Sequence, residues 1–201
     1  MSLDATKQLL VKVPAVTTVF WIIKVLSTTV GETFADYLNS TLGYGLTKTS
    51  VVLSFMLLIV LAFQIASSRY IPFLYWPTII LISTVGTLIT DNLHDNFNVQ
   101  NWQSILIFAL ALALTFGIWF KREGSLEMKS IKTRTREGFY WLAILFTFAL
   151  GTAGGDIFLD DLGVALKYSL LGFALAISAI WLAWKRGIFN NVLAFWLAYI
   201  L

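Results

Sequence analysis

Two long stretches of the chain contain no charged residue, and they limit the available folds more than any other feature. Thr49 to Ser68 and Trp102 to Phe120 are each close to the roughly 20 apolar residues that a helix needs to cross a bilayer. Over the whole chain, 58% of the residues are hydrophobic and only 12% are charged, too few to cover a water-soluble surface. The sequence therefore predicts an all-α, polytopic transmembrane helix bundle.

A short motif recurs along the chain with constant internal spacing. A tryptophan is followed ten residues later by a glycine, and five residues after that by an aspartate. The three copies of this W-x9-G-x4-D motif are Trp21-Gly31-Asp36, Trp76-Gly86-Asp91 and Trp141-Gly151-Asp156. Trp196 begins a fourth copy, and because the sequence ends at Leu201 we expect that copy to be truncated.

Each copy is expected to form a two-helix unit, with the motif on its first helix and a plainer apolar helix after it. Two crossings per unit return the chain to the same side, so the repeats are parallel. We expect a single membrane domain, 1–201, with halves at about 1–120 and 121–201. Its units are placed at about 12–68, 69–120, 134–184 and 186–201. About seven helices are predicted, near 14–36, 49–68, 72–91, 102–120, 137–156, 166–184 and after Gly187.

Basic residues are concentrated in the N-terminal tail, which includes Lys7 and Lys12, and in the turns that follow the second, fourth and sixth predicted helices. The turns that follow the first, third and fifth predicted helices contain only two basic residues, Lys48 and Lys167, and they contain three aspartates. By the positive-inside rule, the N-terminus is expected in the cytoplasm and the aspartate ends of the motif helices outside. Met1 to Lys12 carries two lysines and an aspartate, so we expect no cleaved signal peptide.

Several segments resemble a bacterial inner-membrane family known mainly as a repeat of unknown function. They are K-V-P-x-V-T-x-x-F-W-I-I-K at Lys12 to Lys24 and T-T-V-G-E-T at Thr28 to Thr33, with later copies at Pro72 to Thr78 and Phe139 to Trp141. The resemblance spans essentially the whole chain. It implies four units and about eight helices in a complete member, an inner-membrane location, and export of a metal or another cation.

Ionisable side chains within the spans are the candidate functional residues. Lys24, Thr28, Glu32 and Asp36 follow one another at intervals of four and share one helix face. Because a charge in the bilayer costs about 2.5 kcal/mol or more, Lys24 is interpreted as a counter-charge or proton-coupled switch, unless it snorkels to the headgroups. Glu32 is threonine in the other two copies, and it would hold a substrate or coupling ion or form a structural pair with Lys24.

The three motif aspartates are either solvated at the membrane surface or gathered as a ring of oxygen ligands. Carboxylates and hydroxyls suit Mg²⁺, Mn²⁺ or Ca²⁺. The candidate metal ligands are Glu32, Asp36, Asp91 and Asp156, with the Thr28 and Thr84 hydroxyls nearby. His94 is the only histidine, and it would add a ligand for Mn²⁺ or Zn²⁺ or would simply be solvated.

The motif glycines, Gly31, Gly86 and Gly151, are predicted to let helices pack closely in lipid. The alternative is a local unwinding of the helix that frees carbonyl groups for an ion.

These features favour an integral membrane transporter or permease for a small cation, including a divalent metal such as manganese. The alternative is a non-transporting scaffold or sensor whose intramembrane charges are structural, and a membrane-embedded enzyme acting on lipid is a third class. The sequence has no cysteine and no phosphate-binding glycine loop, HExxH pair or GxSxG elbow, so we expect neither an enzyme nor a bound cofactor. The expected partners are the bilayer, the cation and other copies of the chain, and not nucleic acid.

Overall fold

The structure is a computed structural model that describes residues 11–201, so Lys7 lies outside it. The described residues are helical and contain no β-strand, which confirms the predicted fold class. They form seven α-helices of ten or more residues: α1 (Thr18–Asp36), α2 (Leu46–Ala66), α3 (Pro72–Asp95), α4 (Asn101–Glu123), α5 (Arg134–Asp156), α6 (Leu166–Lys185) and α7 (Asn191–Ile200).

Five of these helices, α2 to α6, are long and apolar enough to cross a membrane. Helix α1 falls outside this group because Lys24 and Glu32 interrupt its apolar sequence, and α7 has only 10 residues. The first helix also begins later than the predicted residue 14. The Thr17 hydroxyl accepts the Phe20 N–H at 3.3 Å and caps the helix there.

The motif helices pack against one another in chain order. Helix α1 packs on α3, α3 on α5, and α5 on α7. Aromatic contacts bring α7 back to α1, with the Trp21 and Phe195 ring centres 5.8 Å apart and those of Phe20 and Tyr199 6.5 Å apart. We call these four helices the motif ring. Its two ends are named for the motif tryptophans and aspartates.

The plainer helices lie around this ring. Each packs mainly on the motif helix of the following unit, α2 on α3, α4 on α5 and α6 on α7, rather than on the motif helix of its own unit. Their membrane segments are 22%, 28% and 6% buried, against 61% for α3. The repeats are therefore interlocked, and α2, α4 and α6 form a peripheral layer.

The motif glycines lie where neighbouring motif helices approach most closely. A Cβ atom at Gly31 would lie 2.9 Å from the Ile80 carbonyl oxygen of α3, and one at Gly86 would lie 3.0 Å from Cβ of Phe148 on α5. A Cβ at Gly151 would lie 3.0 Å from the Ile200 carbonyl oxygen of α7. The spacing of the ring therefore depends on the missing side chains.

The aspartate ends of the first and third units have the same turn. After Asp36 and Asp156 the chain continues as five-residue π-helical turns, Tyr37–Thr41 and Ile157–Asp161. Helix α3 differs, because it runs on beyond Asp91 to Asp95, and the prediction that it ends at Asp91 is wrong. Asn92 accounts for the added turn, since its amide donates to Leu88 O at 2.6 Å and to Ser50 Oγ of α2 at 2.7 Å.

Gly31→Ala is expected to lower the free energy of unfolding by about 1–3 kcal/mol, because the new methyl group meets a backbone carbonyl that cannot move aside. The check is thermal unfolding of the purified protein in detergent. Gly172→Ala on α6 is the matched control, since its Cβ would have no neighbour within 4 Å. Equal melting temperatures for the two variants would contradict the packing role of Gly31.

Candidate functional site

Aromatic side chains fill the tryptophan end of the motif ring. Tyr75 and Tyr140 are fully buried, and their hydroxyls share a hydrogen bond of 2.5 Å. The Trp141 ring centre lies 5.3 Å from that of Tyr75, and α7 contributes Trp196 and Tyr199. We call this group, together with Phe20, Trp21, Trp76 and Phe195, the aromatic layer.

Lys24 lies beside this layer, inside the ring. Its side chain is buried, and its ammonium lies 4.9 Å from the Tyr199 ring centre and 5.3 Å from that of Phe148. It therefore faces protein and not the lipid-facing surface. The ion pairs within residues 11–201 are Lys12–Glu137 and Arg136–Glu123, so Lys24 and Glu32 do not form a closed pair.

Polar side chains follow towards the aspartate end. Thr87 of α3 and Thr152 of α5, at equivalent motif positions, share a hydrogen bond of 3.1 Å, and Glu32 holds the same position on α1, where it is exposed. The predicted pathway residues Thr28 and Thr84 donate to carbonyls of their own helices, at 2.9 and 2.8 Å. Their remaining lone pairs can still accept from water or bind a cation.

Two of the three motif aspartates meet in one cleft. A cavity of about 130 Å³ at the aspartate end is lined by Asp91, His94, Asp95, Asn101, Asp156 and Asp160. We call it the acidic cleft. Asn101 is buried in its wall and donates to Asp161 at 3.2 Å. Asp36 is exposed on α1 and is not among the residues that line this cleft.

The carboxylates of the acidic cleft are not gathered as tightly as in a resident metal centre. Within residues 11–201, no group of three or more histidine, aspartate or glutamate side chains is placed to hold a metal ion together. The cleft supplies a concentration of carboxylate groups. Metal coordination by Glu32, Asp36, Asp91, Asp156 and His94 stays a prediction.

Sequence reasoning missed three buried hydroxyls at one repeat position. Thr49, Ser104 and Ser169 each lie 28 residues after the motif tryptophan of their unit, in the first turn of a peripheral helix. None of their oxygens has a hydrogen-bond partner among the described residues. Other helical hydroxyls, such as that of Thr115, donate to the carbonyl four residues earlier. Extending the repeat alignment beyond the aspartate would have found them.

Sequence reasoning also missed a buried polar network at the tryptophan end. It joins Lys12, before α1, to Glu137 of α5 and Gln64 of α2. Glu137 has no counterpart of the same type in the other copies, so the repeat pattern does not single it out.

Membrane-length apolar helices in tandem two-helix units, packed around a common ring, define a multi-pass membrane repeat protein. The chain belongs to the family described as Repeat of Unknown Function (DUF347), whose model matches residues 19–70, 74–125 and 139–187. This confirms the resemblance noted in the sequence. No curated protein and no solved structure matches the chain.

Asp91→Asn and Asp156→Asn are expected to stabilise the protein in the absence of divalent cations, because each removes one of several like charges around the acidic cleft. We expect a gain of about 1 kcal/mol, or roughly 2–4 °C in melting temperature for a chain of this length. Thermal unfolding in low-salt detergent buffer checks this. Glu127→Gln, in the exposed loop before α5, is the control. A lower melting temperature in both cleft variants would show that their carboxylates are structural.

Proposed function

We propose that this protein is a permease that moves a small cation across the bacterial inner membrane through the motif ring. One observation carries the proposal: the acidic cleft lies at the aspartate ends of α3 and α5, one helical turn beyond the Thr87–Thr152 hydroxyl pair, and the aromatic layer fills the opposite end of the same helices. A carboxylate cleft raises the local concentration of cations. Hydroxyl groups below it offer replacements for water as an ion loses part of its hydration shell.

The distribution of basic residues supports an orientation with the aromatic layer towards the cytoplasm and the acidic cleft towards the outside. In that orientation we assign the cleft as the outer entrance and the aromatic layer as the cytoplasmic closure. Transport then requires the aromatic layer to separate and the cleft to close in alternation.

The cleft favours a hydrated divalent ion such as Mn²⁺ or Mg²⁺ over a soft metal. Its lining offers carboxylate oxygens, one amide and one imidazole, and the chain has no cysteine. The ligands are spread around the cavity, which suits an ion that must bind and leave again.

Lys24 is proposed to act as an ammonium fixed in the pathway. It lies eight residues from Glu32 on the same helix, about 12 Å along the axis. A cation entering from the cleft would be held by the carboxylates and opposed by this charge. Lys24 thereby limits how far a cation can travel before the ring changes conformation.

The scaffold alternative expects Lys24 and Glu32 to hold helices together as a closed pair. The absence of that pair within residues 11–201, together with the exposure of Glu32, favours the permease. Both hypotheses can be separated by measurement.

The first test is flux of Mn²⁺, Mg²⁺, Zn²⁺ and Na⁺ in proteoliposomes. Asp91→Asn and Asp156→Asn are expected to reduce the flux of the transported ion by roughly tenfold or more, because each removes a charge contact worth at least about 1.4 kcal/mol. Glu32→Gln and Asp36→Asn complete the series, and Glu127→Gln should behave as the unaltered protein. Absence of flux for every ion from correctly folded protein would reject the permease.

The second test is Lys24→Ile, which introduces the residue that the second and third copies carry at this position, Ile79 and Ile144. We expect stability to rise, because an unpaired buried ammonium costs more than its contacts with aromatic rings return. We expect cation flux to stop or to become independent of the conformational change of the ring. Under the scaffold alternative the same variant should unfold more easily, so thermal unfolding and flux together decide between the two functions.

A further inference from the structure

The buried network at the tryptophan end forms a link between the first and third units. Lys12 and Glu137 form an ion pair in which Lys12 is 3% and Glu137 0% exposed. Gln64 of α2 donates to the Glu137 carboxylate at 2.9 Å, and the Lys12 ammonium also donates to the Ile65 carbonyl at 2.9 Å. The network therefore holds three separate parts of the chain together: the segment before α1, the end of α2 and the start of α5.

The same network touches the aromatic layer directly. Glu137 lies one helical turn before Trp141 and accepts its indole N–H at 3.4 Å. Trp141 packs in turn on Tyr75 and Tyr140, with ring centres 5.3 and 5.0 Å apart. Any separation of the aromatic layer that moves α5 relative to α2 must therefore act on the ion pair.

Packing alone does not require charges at this junction. Gln64 and Trp119 both lie 43 residues after the motif tryptophan of their unit, so they are equivalent. At Trp119 the corresponding junction, between α4 and α7, is apolar: Trp119 packs on Trp196 with ring centres 5.9 Å apart. One repeat junction is thus closed by indole rings, and its counterpart by an ion pair and an amide.

The two kinds of junction differ in what opening costs. Separating buried indole rings exposes a large apolar surface to water, and only the hydration of the Trp119 indole N–H compensates for it. Separating a buried ion pair as water enters is offset by hydration of both ions, which is why such pairs add little net stability compared with apolar replacements. An ion pair therefore suits a junction that opens and closes repeatedly.

Lys12 is also placed so that it can move separately from the helices. It lies in the non-helical segment before α1, where its backbone N–H donates to the Ile131 carbonyl at 3.0 Å. This hydrogen bond ties the segment to the loop before α5, and both lie outside the membrane-length helices.

We propose that the Lys12–Glu137 pair is a latch that keeps the cytoplasmic end of the motif ring closed, and that it opens when the aromatic layer separates. Its meaning for transport rests on the proposed permease function. The latch itself can be tested without any transported ion.

The test measures access to the ring interior from the tryptophan end. The chain has no cysteine, so a single reporter can be introduced as Ile144→Cys, a fully buried position on α5 that is equivalent to Lys24 and lies beyond the network. Reaction with a charged, membrane-impermeant thiol reagent is followed in inside-out membrane vesicles. Glu137→Gln keeps the shape and removes the charge. It is expected to raise the labelling rate roughly tenfold, because loss of one partner of a buried pair shifts the closed–open balance by at least that factor.

Two further variants make the result specific. Glu123→Gln breaks the neighbouring, partly exposed Arg136–Glu123 pair and should leave labelling unchanged. The exchange Lys12→Glu with Glu137→Lys restores opposite charges and should bring labelling below that of Glu137→Gln alone, with incomplete recovery because the Ile65 carbonyl and the Trp141 indole N–H lose their charged partners.

Unchanged labelling in folded Glu137→Gln, or an equal rise in Glu123→Gln, would overturn the latch. If Glu137→Gln fails to fold, Gln64→Leu decides, since it keeps the ion pair and removes the amide that holds the carboxylate. A rise of roughly threefold or more would support the latch, and no rise would overturn it. If labelling responds as expected but the protein shows no cation flux, the latch is supported and only the permease function is rejected.

Discussion

The close approach of motif helices at their glycines is the constraint on which the rest of the structure depends. Lipid provides no hydrophobic force between helices, so their association relies on close packing. Gly31 and Gly86 remove the side chains that would hold α1, α3 and α5 apart. Once the helices lie this close, the parts of each motif helix before and after its glycine flank the same ring. The tryptophan and aspartate of the motif then occupy opposite ends of one ring.

The ring places opposite kinds of chemistry at its two ends. Aromatic side chains such as Tyr75 and Trp141 bury large apolar surface and stabilise the tryptophan end. That stability offsets the cost of placing Lys24 inside the ring and several aspartates around one cleft. The peripheral helices contribute few polar groups, among them Asn101 in the wall of the acidic cleft and Gln64 in the buried network, and their exposed apolar surface suits a lipid environment. The candidate site is therefore concentrated at the ring and includes one neighbouring peripheral helix.

Much of this arrangement follows from the sequence, because periodic features leave periodic signals. Charge-free windows predicted the helices, and constant spacing predicted that Asp91 and Asp156 would lie at the same level. The packing of α2 on α3, rather than on α1, could not be predicted, since either partner buries an apolar face equally well. The pairing of Lys12 with Glu137 spans 125 residues and occurs once, so no repeat pattern could reveal it. Asp36 shares the register of the other aspartates, yet register does not fix which helices line a cleft.

Differences between the copies carry more functional information than their common features. Glycine and tryptophan recur because every unit must pack in the same way. Lys24 replaces isoleucine, Glu32 replaces threonine, and Gln64 occupies the position of Trp119, so the first unit alone carries charged or amide groups at these buried or pathway positions. Such groups are costly in a membrane and contribute nothing to the shared packing. A chain built only for structural repetition would not need them, and they make the first unit chemically different from the other copies.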